Sequence, residues 1–217
     1  MHRLQLLIGN KNYSSWSLRP WMLLRHLDLS FEESRIQLDT PEFARVVATW
    51  SPAGRVPVLR DGDTVIWDSL AICEYLAEIS GRGWPTDPSM RALARSVSAE
   101  MHSGFQALRA ALPMNARARG RRVAFDAAVA SDIARIDALW RDCRARGGAT
   151  GPWLFGAYSV ADAMYAPIVL RFLTYGVRLS PPAAAYHEHA MRDAILDEWM
   201  RGAAEETWVI PAEERGV

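Results

Sequence analysis

The mostly apolar run LQLLI at 4–8, stopped by Gly9-Asn10, predicts a buried strand. After the polar NYSS, the stretch WSLRPWMLLRHLDL places apolar residues at helical spacing, with Ser14 or Ser15 as N-cap and Pro20 within the first turn or so. Residues 31–38 alternate in part, as an edge strand does, and 41–50 predict a short helix begun by Thr40-Pro41. Val56-Pro57-Val58-Leu59, the turn Asp61-Gly62-Asp63 and the run 64–67 predict a hairpin. Asp68 then caps a helix, SLAICEYLAEI, whose Leu70, Ile72, Cys73, Leu76 and Ile79 fall near one face.

This order, strand-helix-strand-helix-strand-strand-helix, closes near Ser80, and GRGWPTDP is the Gly- and Pro-rich break of a domain boundary. The expected organisation is an α/β domain at 1–80, a linker at 81–88 and an all-helical domain at 89–217. In the last, helical patterns cover 88–112, with Val97, Met101, Phe105, Leu108 and Leu112 in step, then 123–146, 159–175 and shorter pieces after Pro181-Pro182. In YSVADA, Ser159 and Asp162 form a capping box with Asp in place of Glu, flanked by Tyr158 and Ala163 as a staple. That reading is structural and gives these two residues no chemistry.

A chain of 217 residues, 50% hydrophobic and 23% charged, excludes a disordered tail, a collagen-like repeat and a disulfide-stapled mini-protein. Lys plus Arg and Asp plus Glu balance at 25 each, so no net field draws the chain to nucleic acid or to an anionic membrane. Cys73 and Cys143 have neither metal-ligand nor redox spacing, which fits a reducing cytoplasm. The N-terminal apolar run is too short for a signal peptide, and no uninterrupted apolar stretch reaches the about 20 residues that span a bilayer. His187 and His189 lack a third partner and no HExxH pattern occurs, so no metal is expected and the five histidines read as surface residues.

Three places can carry chemistry. In YSSWSLRP, 13–20, a hydroxyl at a helix N-terminus after a buried strand sits where the dipole and free N–H groups favour an anion such as a thiolate. At Val56-Pro57, a cis bond would turn the Val56 N–H and C=O outward to pair with an extended peptide. Asp68-Ser69 offers a carboxylate for an ammonium and a hydroxyl with helix N–H groups for a carboxylate. Each has a plain alternative: Ser14, Ser15 and Asp68 as helix caps, Pro57 as the start of an edge strand. Together they suggest a short zwitterionic peptide that carries a thiol.

The motifs YSSWSLRPWMLL, SPAGRVPVL, DSLAICEYLAE, the break near Pro85 and the SVAD box, in this order, resemble the cytosolic glutathione S-transferase family over essentially the whole chain. The resemblance implies a thioredoxin-like α/β N-terminal domain that holds glutathione and an all-α C-terminal domain that supplies most of the second-substrate pocket. It also implies a homodimer. YSSWSLRP is most similar to serine-type members, above all the zeta class, whose pattern is Ser-Ser-Cys-Ser followed by a spaced arginine. Ser14 then matches the hydroxyl that faces the glutathione sulfur and Arg19 the spaced arginine, with Ser15 or Tyr13 as the other possible donors. Trp16 stands where the zeta pattern has cysteine, which counts against direct transfer of the zeta isomerase activity. By the same resemblance, Val56 before Pro57 pairs with the cysteinyl backbone, Asp68 and Ser69 hold the γ-glutamyl end, and Arg55 reaches for the glycyl carboxylate or lies solvated. Trp16, Met101, Phe105 and Arg109 are the expected wall of the second-substrate pocket. The leading expectation is a cytoplasmic glutathione transferase acting on a small electrophilic, apolar compound, with glutathione as co-substrate and no metal. The alternatives are a glutathione-dependent cis-trans isomerase of the zeta kind and a non-catalytic glutathione or ligand-binding protein.

Overall fold

A computed structural model describes residues 3–216; Met1, His2 and Val217, which bound the two expected domains, lie outside the described residues. Strand β1 (Leu4–Ile8) is the centre of the first half. Its Leu4, Leu6 and Ile8 point into the main core, while Leu7 joins Val47 and Val58 in a second cluster on the opposite face. A strand covered on both faces is why LQLLI is nearly continuous in apolar residues. Around it the sheet has the order β2-β1-β3-β4: β2 (Phe31–Arg35) runs parallel to β1, and β3 (Val58–Asp61) and β4 (Thr64–Trp67) form an antiparallel hairpin against its other side. The hairpin strand starts at Val58, two residues later than the apolar run; the Val56–Pro57 bond, which is cis, lies outside the ladder.

Helix α1 (Ser15–His26) and α3 (Ser69–Ser80) pack together on one face of the sheet, whereas α2 (Pro41–Trp50) covers the other through Val47 and Phe43. Pro20 lies inside α1 rather than at its start. On α3 the buried stripe is Ile72, Cys73, Leu76 and Ala77, with Leu70 and Ile79 only half-buried at its margins.

The second half is helical: α4 (Pro88–Ser103), α5 (Gln106–Ala111), α6 (Ala127–Gly147), α7 (Val160–Tyr175), α8 (Pro181–Met191) and α9 (Ala194–Ala204). The single helix expected over 88–112 is broken at Gly104-Phe105. A Cβ at Gly104 would come within 2.8 Å of the Glu100 carbonyl, and Phe105 takes a left-handed φ of 61°. Arg109 folds back and donates to the Gly104 carbonyl at 2.9 Å and to that of Met101, closing the end of α4. Periodicity continues across this break, so spacing alone reads one helix. Helix α6 starts at Ala127, four residues later than expected, where Asp126 caps it.

One hydrophobic core joins the two halves, with α1 packed against α7, which is buried almost along its whole length. Two polar ties reinforce the junction. His26 of α1 meets Asp193, the N-cap of α9, at 2.9 Å, and the Tyr158 ring, expected as a staple on α7, stacks on His26 at 3.4 Å. The four described histidines are half-buried, which corrects their reading as surface residues.

The capping box of α7 is formed. The Asp162 carboxylate accepts from Ser159 N at 2.9 Å, Ser159 Oγ at 2.8 Å and Leu154 N at 3.0 Å. Burial pushes its pKa up to about 6 despite these donors. The folded state therefore retains the proton above the unfolded carboxyl pKa of about 4, and the contribution to stability is lost as pH rises through the window up to the folded value. Urea midpoints measured across that window are expected to fall with pH in the wild type and to show no such step in Asp162→Asn. Ser159→Ala is expected to cost about 1 kcal/mol at any pH.

Candidate active site

The side chain of Thr40, Asp68, Asp87, Asp126 or Asp193 caps the first amides of α2, α3, α4, α6 and α9 respectively, and the Ser159 box serves α7. Ser14, the N-cap of α1, makes no such bond, and the first turn of α1 has no acidic residue. Its hydroxyl lies 2.7 Å from that of Ser17, whose oxygen also accepts from Gly9 N–H at 3.2 Å. The leading amides of α1 thus keep their partial positive charge for a ligand. Ser15 is 7% exposed and its hydroxyl bonds no other described residue. Tyr13, the third hydroxyl of this loop, donates to Glu214 at 2.7 Å, and burial followed by that bond raises its pKa. It is committed to the C-terminal segment.

Next to this helix start lies a cavity of about 580 Å³ lined by Trp16, Ala53, Arg55, Val56, Pro57, Trp67, Asp68, Ser69 and His102. Six of these residues are sequence-derived candidates: Trp16, Arg55, Val56, Pro57, Asp68 and Ser69. Arg55 is exposed at the rim, and the Val56 N–H and C=O are bonded to no other described residue. Asp68 combines a positive φ of 74° with a cap in which Oδ1 accepts from Leu70 N at 2.9 Å. Its Oδ2 faces His102 Nε2 at 3.2 Å.

Ser14 and Ser15, two residues and one residue ahead of Trp16, are not on the cavity wall. Of the expected second-substrate residues, only Trp16 lines it. Met101 is 0% and Phe105 7% exposed, both in the core, and Arg109 is occupied in closing α4. The helix period that lined up Met101, Phe105 and Arg109 describes packing, not a cavity wall.

His102 was missed. It reaches the cavity from the helical half, with its ring edge-on to Trp16 at 5.5 Å. Burial lowers its pKa, with Arg19 and Arg109 acting in the same direction and Asp68 opposing them. The imidazole is therefore neutral at pH 7 and leaves the Asp68 charge uncancelled. Trp67 was also missed, though its place beside Asp68 at the end of β4 is a usable signal.

A second cavity, about 590 Å³, is lined by Trp21, Arg25 and the acidic Asp28, Glu33 and Glu198 among others. Its acidic side chains suit an anionic ligand poorly. Among the described residues no group of three or more His, Cys, Asp or Glu is placed to hold a metal ion, and no helix is long and apolar enough to cross a membrane. Both cysteines are buried free thiols; burial pushes Cys143 up to about 12 and raises Cys73 as well, so neither is a ready nucleophile.

The loop that carries Tyr13 and Ser14 is held from the far end of the chain. Glu206 accepts from Lys11 N at 2.7 Å and Asn12 N at 3.0 Å, and Trp199 Nε1 donates to the Lys11 carbonyl at 2.8 Å. Glu214 accepts from Asn115 Nδ2 at 2.8 Å as well as from Tyr13, and Arg117 N donates to Asn12 Oδ1 at 2.8 Å.

Residues 13–79 match the N-terminal domain of glutathione S-transferase. A probable maleylacetoacetate isomerase from Caenorhabditis elegans is 35% identical over 96 residues, 43% of this chain and 44% of the relative. Glutathione S-transferase 1 of Dianthus caryophyllus is 40% identical over 81 residues, 35% of this chain and 34% of the relative. The chain thus matches less than half the length of these curated relatives. Among solved structures, a glutathione transferase homolog from Burkholderia with bound glutathione superposes with a TM-score of 0.70 at 21% identity, covering 94% of this chain and 100% of that one. A Tau class glutathione S-transferase from Mangifera indica gives 0.70 at 21% identity over 93% of this chain and 96% of that one. These likenesses establish the fold.

The Glu206 clamp yields a direct test. Glu206→Ala is expected to speed hydrogen exchange of the Lys11 and Asn12 amides by about tenfold or more, the effect of losing about 1.4 kcal/mol of local protection, and to leave the Leu6 amide unchanged.

Proposed function

Since residues 13–79 match the glutathione S-transferase N-terminal domain and the chain shares the fold of solved glutathione transferases, we propose that this protein binds glutathione in the Trp16–Ser69–His102 cavity and activates its thiol. The observation that carries this reading is the uncapped N-terminus of α1 beside a cavity that also offers Asp68, Ser69 and an unbonded Val56 main chain. An extended tripeptide pairs with Val56 in the manner of an added strand, its ammonium meets Asp68, and its γ-glutamyl carboxylate meets the hydroxyl and main-chain N–H of Ser69. Arg55 at the rim faces the glycyl carboxylate.

The sulfur then lies at the start of α1. We assign its hydrogen bond to Ser14. In the unliganded site the Ser14 hydroxyl donates to Ser17 Oγ, which also accepts from Gly9 N–H; when the sulfur arrives the Ser14 hydroxyl turns its proton to it, and the Ser17 hydroxyl is free to donate back to Ser14. A hydroxyl donor and a helix N-terminus both favour the thiolate, which lowers a thiol pKa from about 8.5 toward neutrality. The reaction that follows is conjugation: sulfur forms a bond to a soft electrophilic carbon and the leaving group departs with its electron pair. Serine stays unmodified throughout. The protein acts as a homodimer, and its second substrate is a small electrophilic, apolar compound held against Trp16 and Trp67.

The curated relatives named as maleylacetoacetate isomerases favour a second reading, in which the thiolate adds to a conjugated double bond, rotation follows and glutathione leaves unchanged. Consumption of glutathione separates the two. A pH titration of thiolate ultraviolet absorbance is the primary test. Bound glutathione is expected to ionise at least about one unit below the free thiol, and Ser14→Ala to reverse most of that shift with less than about a threefold loss of affinity. An unchanged Ser14→Ala beside an inactive Ser15→Ala moves the role to Ser15, and binding without any shift leaves a binding protein.

A further inference from the structure

Arg19, on α1, is 0% exposed, and no carboxylate among the described residues forms an ion pair with it. Its Nη1 donates to Ser69 Oγ at 3.2 Å and its guanidinium lies 4.2 Å from the Trp16 ring centroid. Nε and Nη2 are buried without a partner. Its charged neighbours within the protein add to the charge. Arg109 stands over the same Trp16 ring at 4.8 Å, and the fully buried Arg171 has an orphaned Nη1 of its own. Asp68, at the cavity rim, is the opposing group.

The same protein treats another buried cation, Lys11, differently. Lys11 pairs with Glu33 at 2.9 Å and lies over the Trp21 and Trp199 rings. Buried charges in folded proteins are paired as Lys11 is, because an unpaired one is costly. Arg19 stands directly behind Ser69, a cavity residue at the first position of α3.

We propose that Arg19 is a positioning residue for the γ-glutamyl carboxylate of glutathione, acting through Ser69. This rests on the reading of the cavity as a glutathione site. The Arg19 N–H occupies a lone pair of the Ser69 oxygen, so the single Ser69 proton turns away from the protein and toward the cavity. A carboxylate that accepts this proton brings the counter-charge that the protein itself withholds. The Arg19–Ser69–carboxylate chain is polarised in one direction, and each bond strengthens the next. Arg19 never touches the ligand.

Calorimetric titration of the full chain tests this with two probes: glutathione, and γ-aminobutyryl-cysteinyl-glycine, the same tripeptide with hydrogen in place of the γ-glutamyl carboxylate. The wild type is expected to prefer glutathione by about tenfold or more, as for one charge-assisted hydrogen bond. Arg19→Met is expected to reduce that preference to about threefold or less, by weakening glutathione binding while leaving the analogue within about twofold. Arg19→Lys keeps the charge but not the fork and gives an intermediate preference. Ser69→Ala abolishes the preference, and adding Arg19→Lys to it changes nothing further. If Arg19→Met does not fold, the Lys variant and the double variant still decide.

Equal weakening of both ligands overturns the proposal and makes Arg19 a packing residue. So does a wild type that binds the two equally, and in both cases the glutathione site survives. A wild type that binds neither overturns the glutathione reading itself, and the role of Arg19 falls with it.

Discussion

The enclosure of α1 is the constraint on which the rest depends. Ser15 and every residue from Ser17 to Leu24 are buried, between α3 on one side and α7 on the other. A helix covered on all sides cannot leave its end groups to bulk water, so each needs a designed partner. At the C-terminus, the Leu27, Asp28 and Leu29 amides bond the carbonyls of Leu23, Arg25 and Leu24. At the N-terminus Ser14 caps nothing, and the unmet N–H groups lie beside the one cavity that has Asp68, Ser69 and His102 on its wall. Packing and function therefore share one cause. The helical half buries α1 to complete the core, and the helix end left beside the cavity is where the proposed anion would bind.

Local chemistry decides how much of this is legible from sequence. β1, the Thr40-Pro41 start of α2, the Asp68 cap and the Ser159–Asp162 box are each written within a few residues, and all of them form. The Val56-Pro57 pair marks its own position in the cavity, as do Arg55 and Trp16. What escapes is set by contacts distant in the chain. Nothing near residue 102 announces that its imidazole meets Asp68, since that pair depends on how α4 lies against the first half. The break at Gly104-Phe105 is hidden for a related reason: the apolar period runs on through it, while the force that ends α4 is Arg109 folding back on its carbonyls. Periodicity reports which side is inside and is silent about what lies there.

Charge gives the clearest division between structure and function. The chain is neutral overall, with 25 basic and 25 acidic residues, so its field is local. At the surface, pairs such as Arg201–Asp197 and Arg146–Asp142 join one helical turn to the next and carry little energy. In the interior, Lys11 is matched by Glu33 while Arg19, Arg109 and Arg171 face one another unmatched. Burial, with repulsion from Arg109, lowers the Arg171 pKa to about 10, so the guanidinium remains charged at neutral pH. Arg19, bonded to Ser69 and set against Trp16, puts unpaired positive charge behind the cavity wall, which suits the anionic ligand proposed for it.

The C-terminal segment completes this arrangement from the other direction. Glu206 and Glu214 are about two hundred positions from the loop they hold, and they hold it by main-chain amides of Lys11 and Asn12 and by the Tyr13 hydroxyl. With the Tyr13 hydroxyl bonded to Glu214, the hydroxyls left at the helix start are those of Ser14 and Ser15. The clamp also fixes the approach of the chain to Ser14, where an error of about 1 Å in a hydrogen-bond donor is enough to lose its effect on a thiolate. Arg117 ties both parts of the clamp together, through the Glu206 carbonyl on one side and the Tyr13 hydroxyl at 3.2 Å on the other. Glu206 and Glu214 thus bear on the start of α1 through the loop rather than through the cavity wall, and on the proposed reading a change at either would reach the thiol by that route.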